Sequence, residues 1–275
     1  MERVPFSQIL MNASVDIMGE YKRLYFLFYE NRTSGRKGLT VYGICSLNFM
    51  NNPFRGTCIS LEDFNTQYNQ NYVEYPSDFS IDYLVSFCEY SYNLALHNLG
   101  FGPSHLDEEG QLIQIFIEQV RKVIEKIGYM ENSNGCVIDF VPKDQAAISV
   151  SEIVDDGLSY KVIEYNHHSM KGQLSKKKEI LLSLGNKLEP QQKILRQINS
   201  TLESDLYFLL NNINLRHNNS DPSGKNYNCA VASMSEDEIE QWYDITYQVC
   251  LLAFLELDHL DRKGQITELK KQIQR

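Results

Sequence analysis

No stretch of this sequence approaches the roughly 18 consecutive apolar residues that span a bilayer. The densest patch, Val249 to Leu257, is interrupted by Glu256. The opening residues MERVPFSQILMNAS lack a basic region followed by an apolar run, so no secretory signal is expected. The six cysteines, Cys45, Cys58, Cys88, Cys136, Cys229 and Cys250, are scattered, with no CxxC and no close His partner. That spacing does not supply a zinc site, and without secretion the cysteines read as buried thiols rather than a disulfide framework. The sequons at Asn12, Asn31, Asn199 and Asn218 carry no meaning in that setting. The expectation is a cytoplasmic protein with no membrane partner, no metal and no cofactor.

Standard enzyme signatures are also missing. There is no GxxxxGK[ST] and no GxGxxG after a strand to cradle nucleotide phosphates, no GxSxG elbow and no HExxH. His167-His168 beside Glu164 could offer ligands, but vicinal residues on a helix point about 100° apart. They read as a polar helix end.

What is present is an ordinary globular balance. The 275 residues are 43% hydrophobic and 23% charged, which excludes wholesale disorder and suffices for one large or two small cores. The formal net charge of −10 is unevenly spread. Residues 1–160 hold 11 basic and 21 acidic residues (−10), 161–217 hold 9 and 5 (+4), and 218–275 hold 6 and 10 (−4). An acidic chain is a poor general nucleic-acid binder, because phosphate affinity comes from Lys and Arg. The basic segment leaves room for one local RNA element. Alternatively, Lys176-Lys177-Lys178 is simply a solvated helix face.

Periodicity marks the elements. Val15 to Tyr29 has the apolar density of a helix, and Thr40 to Cys45 reads as a short strand; Asn51 to Pro76 reads as loop-rich. Ile81 to Asn98 predicts a buried helix closed by Gly100 and Gly102-Pro103. Leu106 to Ile127 is amphipathic, with Ile113, Phe116, Ile117, Val120, Val123, Ile124 and Ile127 on one stripe and Gly128 as the stop. Asn134-Gly135 predicts a turn into a strand, Cys136 to Val141, ended by Pro142. Further helices are expected over Gln145–Val154, Leu158–His167 and Leu174–Leu184. A long one, opened by Pro190, carries Ile194, Leu195, Ile198, Leu202, Leu206, Leu209, Leu210 and Ile213. Ser235 to Glu238 is a capping box that launches a last long helix through Leu257, and Lys263 to Arg275 reads as a short charged helix or tail. The expected fold is therefore mainly α, a C-terminal helical bundle with a smaller α+β N-terminal region. The expected parts are 1–103, 104–262 (with one short strand or hairpin) and 263–275.

One run stands apart. Asn211 to Asn219 packs one fixed cation, one imidazole and five amides into nine positions at the end of an apolar helix. As a helix terminus this is reasonable, since Asn tolerates the left-handed exit and cations complement the negative end of the dipole. As a site, the run suits phosphodiester chemistry. An imidazole titrating near neutrality can move a ribose hydroxyl proton, Arg can stabilise phosphate charge, and Asn can position backbone or base.

A helical C-terminal half whose long helix ends in NINLRHNN resembles the helical domains of bacterial abortive-infection proteins, and more distantly the HEPN superfamily, over residues 145–260. Members are four- or five-helix bundles, often dimers, and many are metal-independent ribonucleases. Their usual motif sets an Arg four to six residues before a His, whereas Arg216 and His217 are adjacent here. The resemblance implies a defence or toxin-type endoribonuclease acting as a homodimer on tRNA or mRNA. In it His217 would be acid/base and Arg216 phosphate clamp, with Asn212, Asn218 and Asn219 positioning the substrate. The other reading is a non-catalytic interaction or regulatory protein that binds a protein partner through its acidic N-terminal region, the Arg-His-Asn run being a cap. An enzyme needs Arg216 and His217 exposed in a shared cleft. A cap turns them inward onto backbone carbonyls.

Overall fold

The computed structural model describes residues 16–34, 38–101 and 108–274. The sequon at Asn12, the stop at Gly102-Pro103 and the helix start at Leu106 lie outside them. Two compact units divide the chain, Met1–Pro142 and Lys143–Arg275.

In the first unit, Asp16 caps α1 (Ile17–Tyr25) by accepting the Gly19 N–H, and α1 runs on into a π-helical turn, Phe26–Glu30. Thr40 to Cys45, expected as a strand, forms a helix instead. Thr40 Oγ1 accepts the Gly43 N–H at 3.0 Å and opens α2 (Val41–Leu47), which a run of six residues without a strong period could not reveal. Ser60 opens α3 (Leu61–Gln67) inside the stretch expected to be loop-rich. Then come α4 (Ile81–Phe101), α5 (Glu108–Lys126), β1 (Tyr129–Asn134) and β2 (Val137–Pro142). The strands form an antiparallel hairpin that turns at Gly135, where φ is +62°.

The expected stripe of α5 is the one buried, Ile113 through Ile124. It meets an aromatic core in which Phe28, Phe87 and Phe116 interlock with Tyr21, Tyr42 and Tyr90. Because α5 and the hairpin both pack on α4, the first unit ends at Pro142 rather than at 103. The hairpin therefore belongs to the N-terminal unit and not to the bundle, and the described residues before 103 contain no strand. β2 would be an open edge, but α4 covers it with side chains. Asn93 accepts the Ile138 N–H and donates to the Ile138 carbonyl, at 2.8 and 2.7 Å, while Glu89 accepts the Phe140 N–H.

The regular elements of the second unit are all helices among its described residues. Asp144 caps α6 (Gln145–Ser151) and Asp155 caps α7 (Asp156–Glu164). After α8 (Leu174–Leu188), Pro190 sits in a 3₁₀ turn and does not open one long helix. α9 (Gln192–Ile198) ends at Asn199, whose side chain caps a separate α10 (Ser200–Asn212). α11 (Cys229–Ala232) is short. α12 (Glu236–Ile273) begins with the expected capping box and runs on without a break through the segment expected as a short charged helix or tail. It is the spine of the unit, with α6, α8, α9 and α10 packed on it. His167 and His168 lie past the end of α7, and His167 caps a short 3₁₀ helix that begins at His168. Cys136 and Cys229 are exposed, unlike the other four cysteines.

Lys177 corrects the reading of its triplet as a solvated face. Its side chain is 7% exposed, and Nζ lies 2.8 Å from Glu240 and 2.6 Å from Asp244, successive acids on one face of α12. Burial alone would raise the Glu240 carboxyl. Hydrogen bonds from Lys177 and the Gly172 N–H outweigh that effect and hold it below the ordinary 4.5.

Two outcomes follow from this packing. Asn93→Leu strands the Ile138 amide, so urea unfolding should show a loss of about 1–3 kcal/mol; an unchanged midpoint would remove the edge role. A carboxyl lowered by folding stabilises the fold above its unfolded pKa, and that stability is lost as pH falls through the folded value. Glu240 therefore contributes fully above pH 4.5 and progressively less below it. Glu240→Gln should lower stability at neutral pH and flatten the acid limb of a stability–pH curve, which circular dichroism can follow.

Candidate functional site

The apolar stripe of α10 ends at Ile213, and the chain leaves the helix through Asn214, whose φ is +61°. This is the left-handed exit that asparagine tolerates better than most residues. From there two amides build the loop. Asn219 Oδ1 accepts the Asn214 N–H at 3.0 Å, and Asn214 Oδ1 accepts the N–H groups of Asn219 and Ser220 at 2.7 and 3.1 Å. Asn214 Nδ2 also donates to the Ser220 hydroxyl. Asn219 is 2% exposed, and its Nδ2 donates to the Asn226 carbonyl at 2.9 Å. Its own carbonyl accepts from Asn228, which caps α11. In effect, the asparagines replace the backbone ladder that a tight loop of this kind lacks.

Arg216 points away from that network. Its backbone N–H closes on the Leu210 carbonyl at 3.0 Å. Its guanidinium donates to Glu189 Oε2 at 2.8 Å and to the Gly185 carbonyl at 3.4 Å, over the ring of Tyr207. The side chain is 18% exposed. The cation thus joins the C-terminal ends of α8 and α10, where carbonyls are in excess. Gly185 makes room for this, since a Cβ there would stand 3.0 Å from both methyl carbons of Leu210.

The other candidates divide between scaffold and surface. Asn212 donates to the Phe208 carbonyl one turn back on its own helix, at 2.8 Å. His217 and Asn218 are exposed. Asn218 lines an open cleft of about 470 Å³ together with Ser175, Lys178, Asn214, Ser220 and Glu236; neither Arg216 nor His217 lines it. The run therefore brings Asn214, Asn218 and Asn219 together and sends Arg216 elsewhere. Glu189 and Gly185 escaped the sequence reading because they lie 27 and 31 positions before Arg216. The density of asparagine was the only signal for Asn214.

Compared with protein families, curated proteins and solved structures, the chain matches none.

If Arg216 is a brace, replacing it costs stability. Arg216→Ala should lose about 1–2 kcal/mol in urea unfolding, and Arg216→Lys should recover only part, because both bonds leave Nη2 at the far end of the guanidinium and a shorter ammonium also gives up the planar face laid over Tyr207. Asn219→Ala should cost a similar amount by stranding the Asn214 amide. Variants with the wild-type midpoint would show that the loop stands without these bonds.

Proposed function

We propose that the protein is a non-catalytic helical interaction or regulatory protein in which the Arg-His-Asn run is a helix cap and loop brace. The observation that carries this reading is the position of the Arg216 guanidinium, held by Glu189 and the Gly185 carbonyl and absent from the cleft that Asn218 lines. A phosphate clamp must face its substrate, and the Nη2 end of this guanidinium is turned onto Glu189 and the Gly185 carbonyl instead. The buried amide of Asn219 is committed in the same way. On this reading the partner is a protein with a basic surface. Residues 1–142 carry 10 basic and 17 acidic residues, and Tyr68 and Tyr75 are exposed there.

The HEPN-like, RNA-directed reading has one observation in its favour. His217 and Asn218 are both exposed, and Lys178 shares the cleft with Asn218. One experiment separates the two: purified protein is incubated with total RNA and tRNA in the presence of EDTA, beside a correctly folded His217→Ala variant. The interaction reading expects intact RNA from both proteins. Cleavage by wild type that disappears in the variant would overturn it in favour of a metal-independent ribonuclease.

A further inference from the structure

The face of α12 opposite the bundle carries an exposed apolar stripe, interrupted by Gln248, His259 and Arg262. The helix buries Ile239, Tyr243, Thr246, Tyr247, Cys250, Leu251, Ala253 and Phe254 against its own unit. On the other side, Ile245, Leu252, His259, Ile266 and Ile273 recur at intervals of seven, and all five are exposed, from 44% to 75% for the four aliphatic residues. Leu255 and Leu269 stand three residues after Leu252 and Ile266, at the second apolar position of the same repeat. A repeat of seven keeps a seam on one side of a supercoiled pair of helices, whereas packing on a globular core follows 3.6. The helix also outruns its unit. Residues 259–274 are exposed throughout, a projection of about 24 Å. A solvated helix of that length is marginal by itself.

Charge says what covers the seam. Residues 236–261 of α12 carry eight Asp or Glu and no Lys or Arg, while residues 262–275 carry five Lys or Arg and one Glu. Two such helices side by side in parallel would set acid against acid and base against base. Antiparallel, each basic projection lies along the acidic half of the other. We propose that α12 pairs with α12 of a second copy of this chain in an antiparallel two-helix seam. In the register that suits both patterns, Leu252 and Leu255 of one copy meet Leu269 and Ile266 of the other, and Glu256 lies across from Lys263. The contact is isologous, so two copies satisfy each other and the assembly closes as a dimer. This pairing is independent of whether the Arg216 loop is a brace or a site.

The test is sedimentation equilibrium of the full chain across a concentration series, with wild type beside Ile266→Asp/Leu269→Asp. These positions are exposed on the projection, so the variant leaves both cores intact; its thermal unfolding at monomeric concentrations should match wild type. Wild type should move from 31.9 kDa to twice that mass, with weaker association at high salt, and the variant should stay monomeric. Orientation is read by disulfide trapping in a Cys136→Ser/Cys229→Ser background, which removes the exposed native thiols. A mixture of Leu252→Cys and Leu269→Cys chains should cross-link to each other, and Leu269→Cys alone should not. A wild-type monomer at every concentration, or a dimer unaffected by the two aspartates, would overturn the pairing. Cross-linking of Leu269→Cys with itself would overturn the antiparallel arrangement.

Discussion

A lysine ammonium buried between two helices is tolerable only when its charge is matched on the spot, and Lys177 meets that condition with Glu240 and Asp244. The two carboxylates lie one turn apart on α12, so a single side chain fixes both the axial position and the rotation of α8 on the spine. Tyr165 completes the arrangement. Its ring lies beneath the ammonium, its hydroxyl donates to Asp244, and it stacks on Tyr247 with centroids 4.0 Å apart. Tyr247 in turn donates to the Val162 carbonyl and so ties α7 to the same axis. Once α8 is located this way, its C-terminal end is located too, and it is there that Arg216 finds Gly185 and Glu189.

The loop after α10 depends on that placement of α8. Arg216 can brace two helix ends only if both are already adjacent, which the packing of Leu210 against Gly185 ensures. The residues that make the run look like a site, a cation and a cluster of amides, are also those able to satisfy carbonyls and amides that a terminating helix leaves unpaired. Residue type alone does not distinguish these uses. The distinction lies in direction, and Arg216 and Asn219 point into the fold while His217 and Asn218 point out of it.

A similar economy governs the first unit. Its core is aromatic, and the hydroxyls that would otherwise be stranded are used as struts. Tyr21 donates to the Val73 carbonyl, Tyr90 to Asn65 and Tyr92 to Glu131. Glu20, itself nearly buried, is held by Arg23 and by Lys126 from the end of α5. Polar groups thus set the register between helices whose apolar faces alone would allow sliding.

Features repeated locally were legible in the sequence. The stripe of α5, the apolar face of α10 and the capping box of α12 each depend on residues within a turn or two of one another, so spacing alone reveals them. The seven-residue recurrence along α12 is written in the chain in the same way, although only the burial of the opposite face shows that this side is left uncovered. Tertiary structure decided what depends on partners far along the chain. It set the division at Pro142, the burial of Lys177 and the direction of Arg216. The physical reason is common to all of these. Periodicity records which face of an element is apolar, but the free energy of a charge or an amide is set by what lies within about 3 Å of it, and here that neighbour is often tens of residues away.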